Sequence, residues 1–80
     1  MKTKRRVGLL PGLRKARFEA SNHSANHKRN ARRLAKFPGQ EQEARAREMA
    51  AVYLDEFVWC INQDIKDIER ERRSDAEKEA

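Results

Sequence analysis

The residues with the most specific potential chemistry are two histidines four positions apart, His23 and His27. On a helix this spacing puts both rings on one face, as in zinc sites that take two ligands from a single helix. Zinc requires three or four protein ligands, and the chain offers only one further candidate of this kind, Cys60. We therefore predict no metal site and no cofactor, with His27 half-buried at a helix contact and His23 directed outward.

Residues that could carry catalysis are few. Asp55 and Glu56 are neighbours, and on a helix their side chains point about 100° apart, so they cannot face each other as acid and base. The glycines at positions 8, 12 and 39 are too scattered to form a phosphate-binding loop. A chain of 80 residues buries only about 60% of its unfolded surface, which leaves little room for a deep pocket. The sequence thus favours neither an enzyme nor a small-molecule substrate.

Asparagines repeat with the same four-residue step, at Asn22, Asn26 and Asn30. Each step advances a helix by about 40° beyond a full turn, so they form a slowly winding polar ridge. Basic residues between positions 28 and 36 extend this ridge. Asn and Arg hydrogen-bond base edges, and Lys and Arg neutralise phosphates. The segment "HKRNARRLAKF" resembles arginine-rich RNA-binding helices, and the resemblance implies contact with RNA or DNA.

The predicted nucleic-acid contacts include the basic N-terminal stretch "MKTKRR", where counterion release would reward any Lys or Arg that reaches a phosphate. The full set is Lys4, Arg5, Arg6, Arg14, Lys15, Asn26, Lys28, Arg29, Asn30, Arg32, Arg33 and Lys36. The structural alternative is that these residues form a solvated helix face and a solubilising terminus.

Charge is divided between the two halves of the chain. Residues 1–37 contain twelve Lys and Arg against one acid, whereas residues 38–80 contain seven against twelve acids. The basic half should attract polyanions. The alternative is that the two halves neutralise each other, but they do not cancel, because the net charge of the chain is +6.

The elements that position these residues are predicted to be helices, and the fold class all-α. Pro38-Gly39 is the one strong internal stop, so we expect a two-helix antiparallel hairpin. The predicted order is a flexible basic arm over 1–10, a basic helix over 11–37, a turn at 38–39, a long amphipathic helix over 40–73 and a fraying acidic tail over 74–80. A break in the first helix near 21–24, with Ser24 as a cap, is the alternative to a continuous helix.

Apolar and small side chains recur every three or four residues in both halves. The first stripe comprises Leu13, Ala16, Ala20, Ser24, His27, Ala31 and Leu34. The second comprises Ala50, Leu54, Phe57, Val58, Ile61, Ile65 and Ile68. A tight turn would pair positions whose numbers sum to about 77, so that Ala20 faces Phe57 and Ser24 faces Tyr53. This pairing puts small residues opposite large ones, as close packing requires.

The middle of the second helix has a further apolar side, formed by Val52, Tyr53 and Trp59. A helix with two apolar sides must pack each of them against a different surface. We predict that this side meets a protein partner or a second copy of the chain. The alternative is that the N-terminal segment folds back and covers Trp59 with Leu9, Leu10 or Phe18.

Two functions fit these features. The first is a small helical regulator that binds nucleic acid through its N-terminal half and a protein through its C-terminal helix. The second is a non-enzymatic adaptor or inhibitor, resembling small phage or plasmid regulators, that docks its basic ridge on an acidic surface of a larger nucleic-acid-processing machine. A single cysteine favours a reducing, cytoplasmic setting, and no segment approaches the roughly 18 apolar residues of a membrane span.

Overall fold

The fold consists of two long helices that lie side by side in opposite directions. The computed structural model describes the backbone of residues 6–79 and the side chains of residues 6–76. Helix α1 spans Leu10–Leu34 and helix α2 spans Glu41–Glu79. Residues 6–79 contain no strand. The predicted all-α helical hairpin is confirmed.

Helix α1 begins beside Pro11, whose missing N–H costs nothing in the first turn of a helix. It is continuous through residues 21–24, so the alternative of a break there is wrong. Ser24 does not cap a second helix; it is buried at the contact with α2.

The turn between the helices occupies residues 35–40. Two local backbone hydrogen bonds stabilise the turn. The Phe37 amide donates to the Leu34 carbonyl (3.0 Å), and the Gln40 amide donates to the Phe37 carbonyl (3.3 Å). Gly39 adopts a φ of 87°, a left-handed conformation that L side chains rarely adopt. Its amide donates to the Glu41 side chain at 3.2 Å, where α2 begins. The acids of that first turn, Glu41 and Glu43, suit the positive end of a helix.

The contact between the helices follows a seven-residue repeat on each side. On α1 it runs through Leu10, Arg17, Ser24 and Ala31 and through Leu13, Ala20, His27 and Leu34. On α2 it runs through Ala44, Ala51, Val58 and Ile65 and through Arg47, Leu54, Ile61 and Ile68. All of these side chains are buried or half-buried. Such a repeat is typical of a coiled coil, in which each helix winds slightly around its neighbour.

The composition of this contact changes along its length. At the open end, away from the turn, Leu10, Ile61, Ile65 and Ile68 form a buried aliphatic cluster. Toward the turn the buried residues are small: Ala20, Ser24 and Ala31 on α1, and Ala44 and Ala51 on α2. The apolar core is therefore concentrated at the open end, and small side chains bring the helices together toward the turn.

Polar contacts fix the register close to the predicted one. Arg6 pairs with Glu71, and the two residue numbers sum to 77, as in the predicted register. Arg17 donates to Asn62 at 3.0 Å, a sum of 79. Ser24 lies 3.4 Å from the carbonyl oxygen of Ala51, a sum of 75.

Three expectations need correction. Phe57 is 54% exposed and does not face Ala20 across the contact. Tyr53 is also exposed, and Ser24 meets Ala51 and Asp55 instead. Residues 6–10 are not a flexible arm, because Leu10 is buried in the aliphatic cluster and Val7 packs against it.

Candidate nucleic-acid and protein interfaces

Part of the predicted nucleic-acid surface is occupied by contacts within the hairpin. Arg6 pairs with Glu71, Arg14 with Glu69 at 3.3 Å, and Lys28 with Asp55 at 2.9 Å. Arg14 and Lys28 lie at the flanks of α1 where it meets α2, and Arg6 lies just before α1. They link the helices, and their charges are partly neutralised.

Three more of the predicted contacts are less informative. Lys15 lies 4.0 Å from Glu19 in an exposed pair one helical turn apart. Such exposed pairs are typically worth less than about 1 kcal/mol, so Lys15 stays accessible to another anion. Lys4 and Arg5 lie outside the described residues.

The remaining six predicted residues lie together at the end of α1 that leads into the turn. Arg29, Arg32, Arg33 and Lys36 are exposed, and among the described side chains they take part in no ion pair. Asn26 is exposed beside them, and Asn30 is half-buried. We call Arg29, Arg32, Arg33 and Lys36 the turn-end cations.

Helix geometry explains why these side chains avoid α2. Residues 29 and 33 are five and nine positions after buried Ser24, which rotates their side chains about 140° and 180° away from it. Arg32 lies at the flank, one turn after Lys28. The position also has a structural benefit, because cations near a helix C-terminus interact favourably with the helix dipole. That benefit applies to the last turn, which contains Arg32 and Arg33.

Net positive charge is concentrated around the turn. Residues 26–48 contain seven Lys and Arg against three Glu, a net charge of +4. The open end of the hairpin combines residues 6–25, at +3, with residues 49–76, at −3. The described side chains therefore form a rod with one cationic end and one nearly neutral end.

A second surface lies on the side of α2 that faces away from α1. Its large apolar side chains are about half exposed or more: Met49, Val52, Tyr53, Phe57 and Trp59. Trp59 is 64% exposed. Leu9 and Phe18 are exposed too, and Leu10 is buried in the core cluster. The alternative that the N-terminal segment covers Trp59 is therefore wrong for the described residues.

Sequence reasoning identified Val52, Tyr53 and Trp59 on this surface and missed two members. Phe57 was assigned to the helix contact, and Met49 was not assigned. The missed signal is the step of four from Met49 through Tyr53 to Phe57, a stripe parallel to the buried one. We call these five residues the outer apolar face.

A polar cluster crosses the middle of the helix contact. The buried Ser24 hydroxyl donates to Oδ1 of Asp55 at 2.5 Å, and the Lys28 ammonium lies 2.9 Å from Oδ2. The hydrogen bond from Ser24, followed by that from Lys28, lowers the pKa of Asp55 below its ordinary value of 3.8. The Ser24 hydroxyl donates to the carboxylate, and no hydrogen bond joins it to a histidine among the described side chains, so the cluster serves to fix the register.

The histidines do not come together with other metal ligands. His27 is half-buried, with Nδ1 3.4 Å from Nη1 of Arg47, and His23 is exposed. Among the residues described, no group of three or more His, Cys, Asp or Glu is placed to hold a metal ion. Neither helix, over its described length, is long and apolar enough to cross a membrane.

Comparison with known proteins provides no relative. No protein-family model, curated protein or solved structure matches the chain. The candidate surfaces are thus characterised by their own geometry and charge.

Proposed function

We propose that this protein is a small, non-enzymatic regulator that binds nucleic acid through the turn-end cations and a protein through the outer apolar face of α2. The nucleic-acid part of this proposal rests on one observation. Four exposed cations lie together with no ion-pair partner among the described side chains. A phosphate backbone is the polyanion that such a cluster suits, because each neutralised phosphate releases counterions.

Asn26 and Asn30 add hydrogen-bonding capacity next to the cations. Amide side chains can pair with base edges, whereas Lys and Arg mainly position the backbone. The turn-end cations belong to α1 and the turn, whereas the outer apolar face belongs to α2. Phe57 lies level with position 20 of α1, and a rise of 1.5 Å per residue puts it roughly 20 Å from Arg33. That distance exceeds the Debye length of about 8 Å at physiological salt, so Arg33 has little electrostatic effect at Phe57.

Charge reversal with a matched control tests the nucleic-acid half. Arg29→Glu/Arg32→Glu/Arg33→Glu removes three turn-end cations, and Arg70→Glu/Arg72→Glu/Arg73→Glu makes the same change in net charge near the open end. Retention on immobilised RNA and duplex DNA should be lost in the first variant and largely kept in the second. Circular dichroism checks that both variants stay helical. A third variant, Arg29→Gln/Arg32→Gln/Arg33→Gln, removes the same cations without placing acids at a helix C-terminus.

The alternative function is an adaptor that docks the turn-end cations on an acidic protein surface. The salt dependence of binding to nucleic acid distinguishes the two functions. The nucleic-acid proposal expects log K to fall linearly with log salt, by about 0.9 per phosphate contact on duplex DNA. No binding in dilute buffer, or equal loss in both charge-reversal variants, would favour the adaptor.

A further inference from the structure

The outer apolar face covers a wide arc of α2, and the charged residues within its length are all acidic. Successive residues are rotated by about 100°, so the arc from Phe57 to Trp59, through Met49 and Glu56, spans roughly 160°. Residues 48–65 contain four acids and no Lys or Arg. Four acids within this stretch disfavour a partner that brings further negative charge.

Three of the four acids in this stretch are available to a partner. Asp55 is paired with Lys28. Glu48, Glu56 and Asp64 are exposed and take part in no ion pair among the described side chains. Glu56 lies between Tyr53 and Trp59, about 60° from each, so its carboxylate is in the middle of the apolar arc.

This arrangement disfavours a second copy of the chain as the occupant. An antiparallel pairing of two α2 helices centred on the face brings Glu56 next to Glu56 and Glu48 next to Asp64. A parallel pairing brings every acid next to its own copy. Like charges across an interface repel and select against that partner. The same acids repel nucleic acid and anionic membranes.

We infer that the outer apolar face binds a basic amphipathic helix of a partner protein. This inference rests on the proposed function, in which α2 meets a protein, and it specifies the chemistry of that partner. From Glu48 to Asp64 α2 rises about 24 Å, the length of a helix of roughly 16 residues. Such a helix would lay its apolar stripe on Tyr53, Phe57 and Trp59 and direct Lys or Arg at Glu48, Glu56 and Asp64. The result is a three-helix bundle packed like the existing pair.

Two synthetic helical peptides test this inference with the full-length protein in the absence of nucleic acid. Both have Leu at the first and fourth positions of each heptad and contain no Trp; the exposed positions are Lys in one and Glu in the other. Emission of Trp59 and anisotropy of a dye on the peptide report binding. We expect the Leu/Lys peptide to shift Trp59 emission to the blue and to bind at least tenfold more tightly than the Leu/Glu peptide.

The comparison is stringent because the chain has a net charge of +6, so attraction by overall charge alone would favour the Leu/Glu peptide. Glu48→Lys/Glu56→Lys/Asp64→Lys should reverse the preference. Glu43→Lys/Asp67→Lys/Asp75→Lys makes the same change in net charge outside the face and should keep it.

Three results would overturn the inference. They are no binding of the Leu/Lys peptide, equal affinity for both peptides, and a doubled mass of the wild-type protein at the same concentration without peptide. Equal binding of both peptides with a blue shift would contradict a basic partner while leaving α2 as a protein-binding surface. Loss of nucleic-acid binding in Arg29→Glu/Arg32→Glu/Arg33→Glu has no bearing on the peptide result.

Discussion

Ser24 of α1 donates its hydroxyl proton to Oδ1 of Asp55 of α2, across a contact whose other fully buried side chains are small or aliphatic. The serine is 2% exposed, so its hydroxyl has no access to solvent. A buried hydroxyl that loses its acceptor costs more than the hydrogen bond itself contributes. The pair therefore selects one register of the hairpin over shifted ones.

Ser24→Ala should lower the free energy of unfolding by about 1–2 kcal/mol, because it removes a hydrogen bond to a charged acceptor. Urea denaturation followed by circular dichroism measures the change. Ser21→Ala is the matched control, since Ser21 is exposed on the same helix; its effect should stay within about 0.5 kcal/mol. Equal effects of the two substitutions would show that the hydroxyl of Ser24 contributes nothing specific.

Acid should weaken the hairpin in part through Asp55. Because the hydrogen bonds from Ser24 and Lys28 hold the folded pKa of Asp55 below 3.8, its contribution to stability is present above that pH and is lost as pH falls through the folded pKa. The difference in stability between wild type and Asp55→Asn should be largest near neutral pH and shrink below pH 3.8.

Thermal unfolding at a series of pH values measures this difference. Asp64→Asn provides the control, because Asp64 is exposed and forms no ion pair with another described side chain. A constant difference for Asp55→Asn between neutral and acid pH would contradict the expectation.

The two apolar sides of α2 should respond differently to truncation. Ile61 is 4% exposed in the aliphatic cluster, so Ile61→Ala should cost about 2–5 kcal/mol, the usual range for a buried Ile. Phe57→Ala should change the free energy of unfolding by less than about 0.5 kcal/mol, as for other surface substitutions. Where Ile61→Ala prevents folding, Ile61→Val should cost about 0.5–1.5 kcal/mol. A large loss of unfolding free energy in Phe57→Ala would show instead that this ring packs within the helix contact.

Trp59 is the single tryptophan of the chain, so its fluorescence reports on the outer apolar face alone. In dilute protein we expect red-shifted emission that acrylamide quenches efficiently, because the ring is mostly in water. Trp59→Ala should weaken binding of a protein partner by about 2 kcal/mol or more, as aromatic residues at the centre of an interface do. Its affinity for nucleic acid should stay within a few-fold of wild type. Blue, quencher-resistant emission in the dilute protein would show that the face is already covered.

The stripe on the first helix could be predicted from the sequence, apart from Leu10 and Arg17. All seven of its members, from Leu13 to Leu34, are buried or half-buried. Their spacing is distinctive because the rest of α1 is so polar, and the turn at Pro38-Gly39 then determines the register. The pairing of Arg6 with Glu71 agrees with that register, although Arg6 was predicted to lie in a flexible arm.

The stripe on the second helix was harder to predict because α2 is apolar on two sides. A contact that repeats every seven residues drifts by about 20° per repeat around a helix of 3.6 residues per turn. Near the turn the contact therefore passes through Ala44 and Ala51, while Phe57 falls outside it. Alanines give no sequence signal when larger side chains lie nearby, so Phe57 appeared the better candidate.

The nucleic-acid surface could be predicted only as an excess of basic residues. Composition cannot separate cations that pair within the fold from those that do not. Arg14 and Lys28 find acids on α2, whereas Arg29 and Arg33 point away from it. The distinction depends on the helical phase relative to Ser24 and on the position of acids across the hairpin.

The Cα atoms of the hairpin extend over 64 × 15 × 14 Å, with a radius of gyration of 18.1 Å. A globular domain of this length would have a radius of gyration of about 12 Å. So elongated a particle diffuses slowly for its 9.4 kDa, and a monomer should leave a gel-filtration column with the apparent mass of a larger globular protein. Elution volume alone would thus suggest a dimer where none exists. Light scattering or sedimentation equilibrium, which depend on mass and not on friction, are the measurements on which stoichiometry should rest.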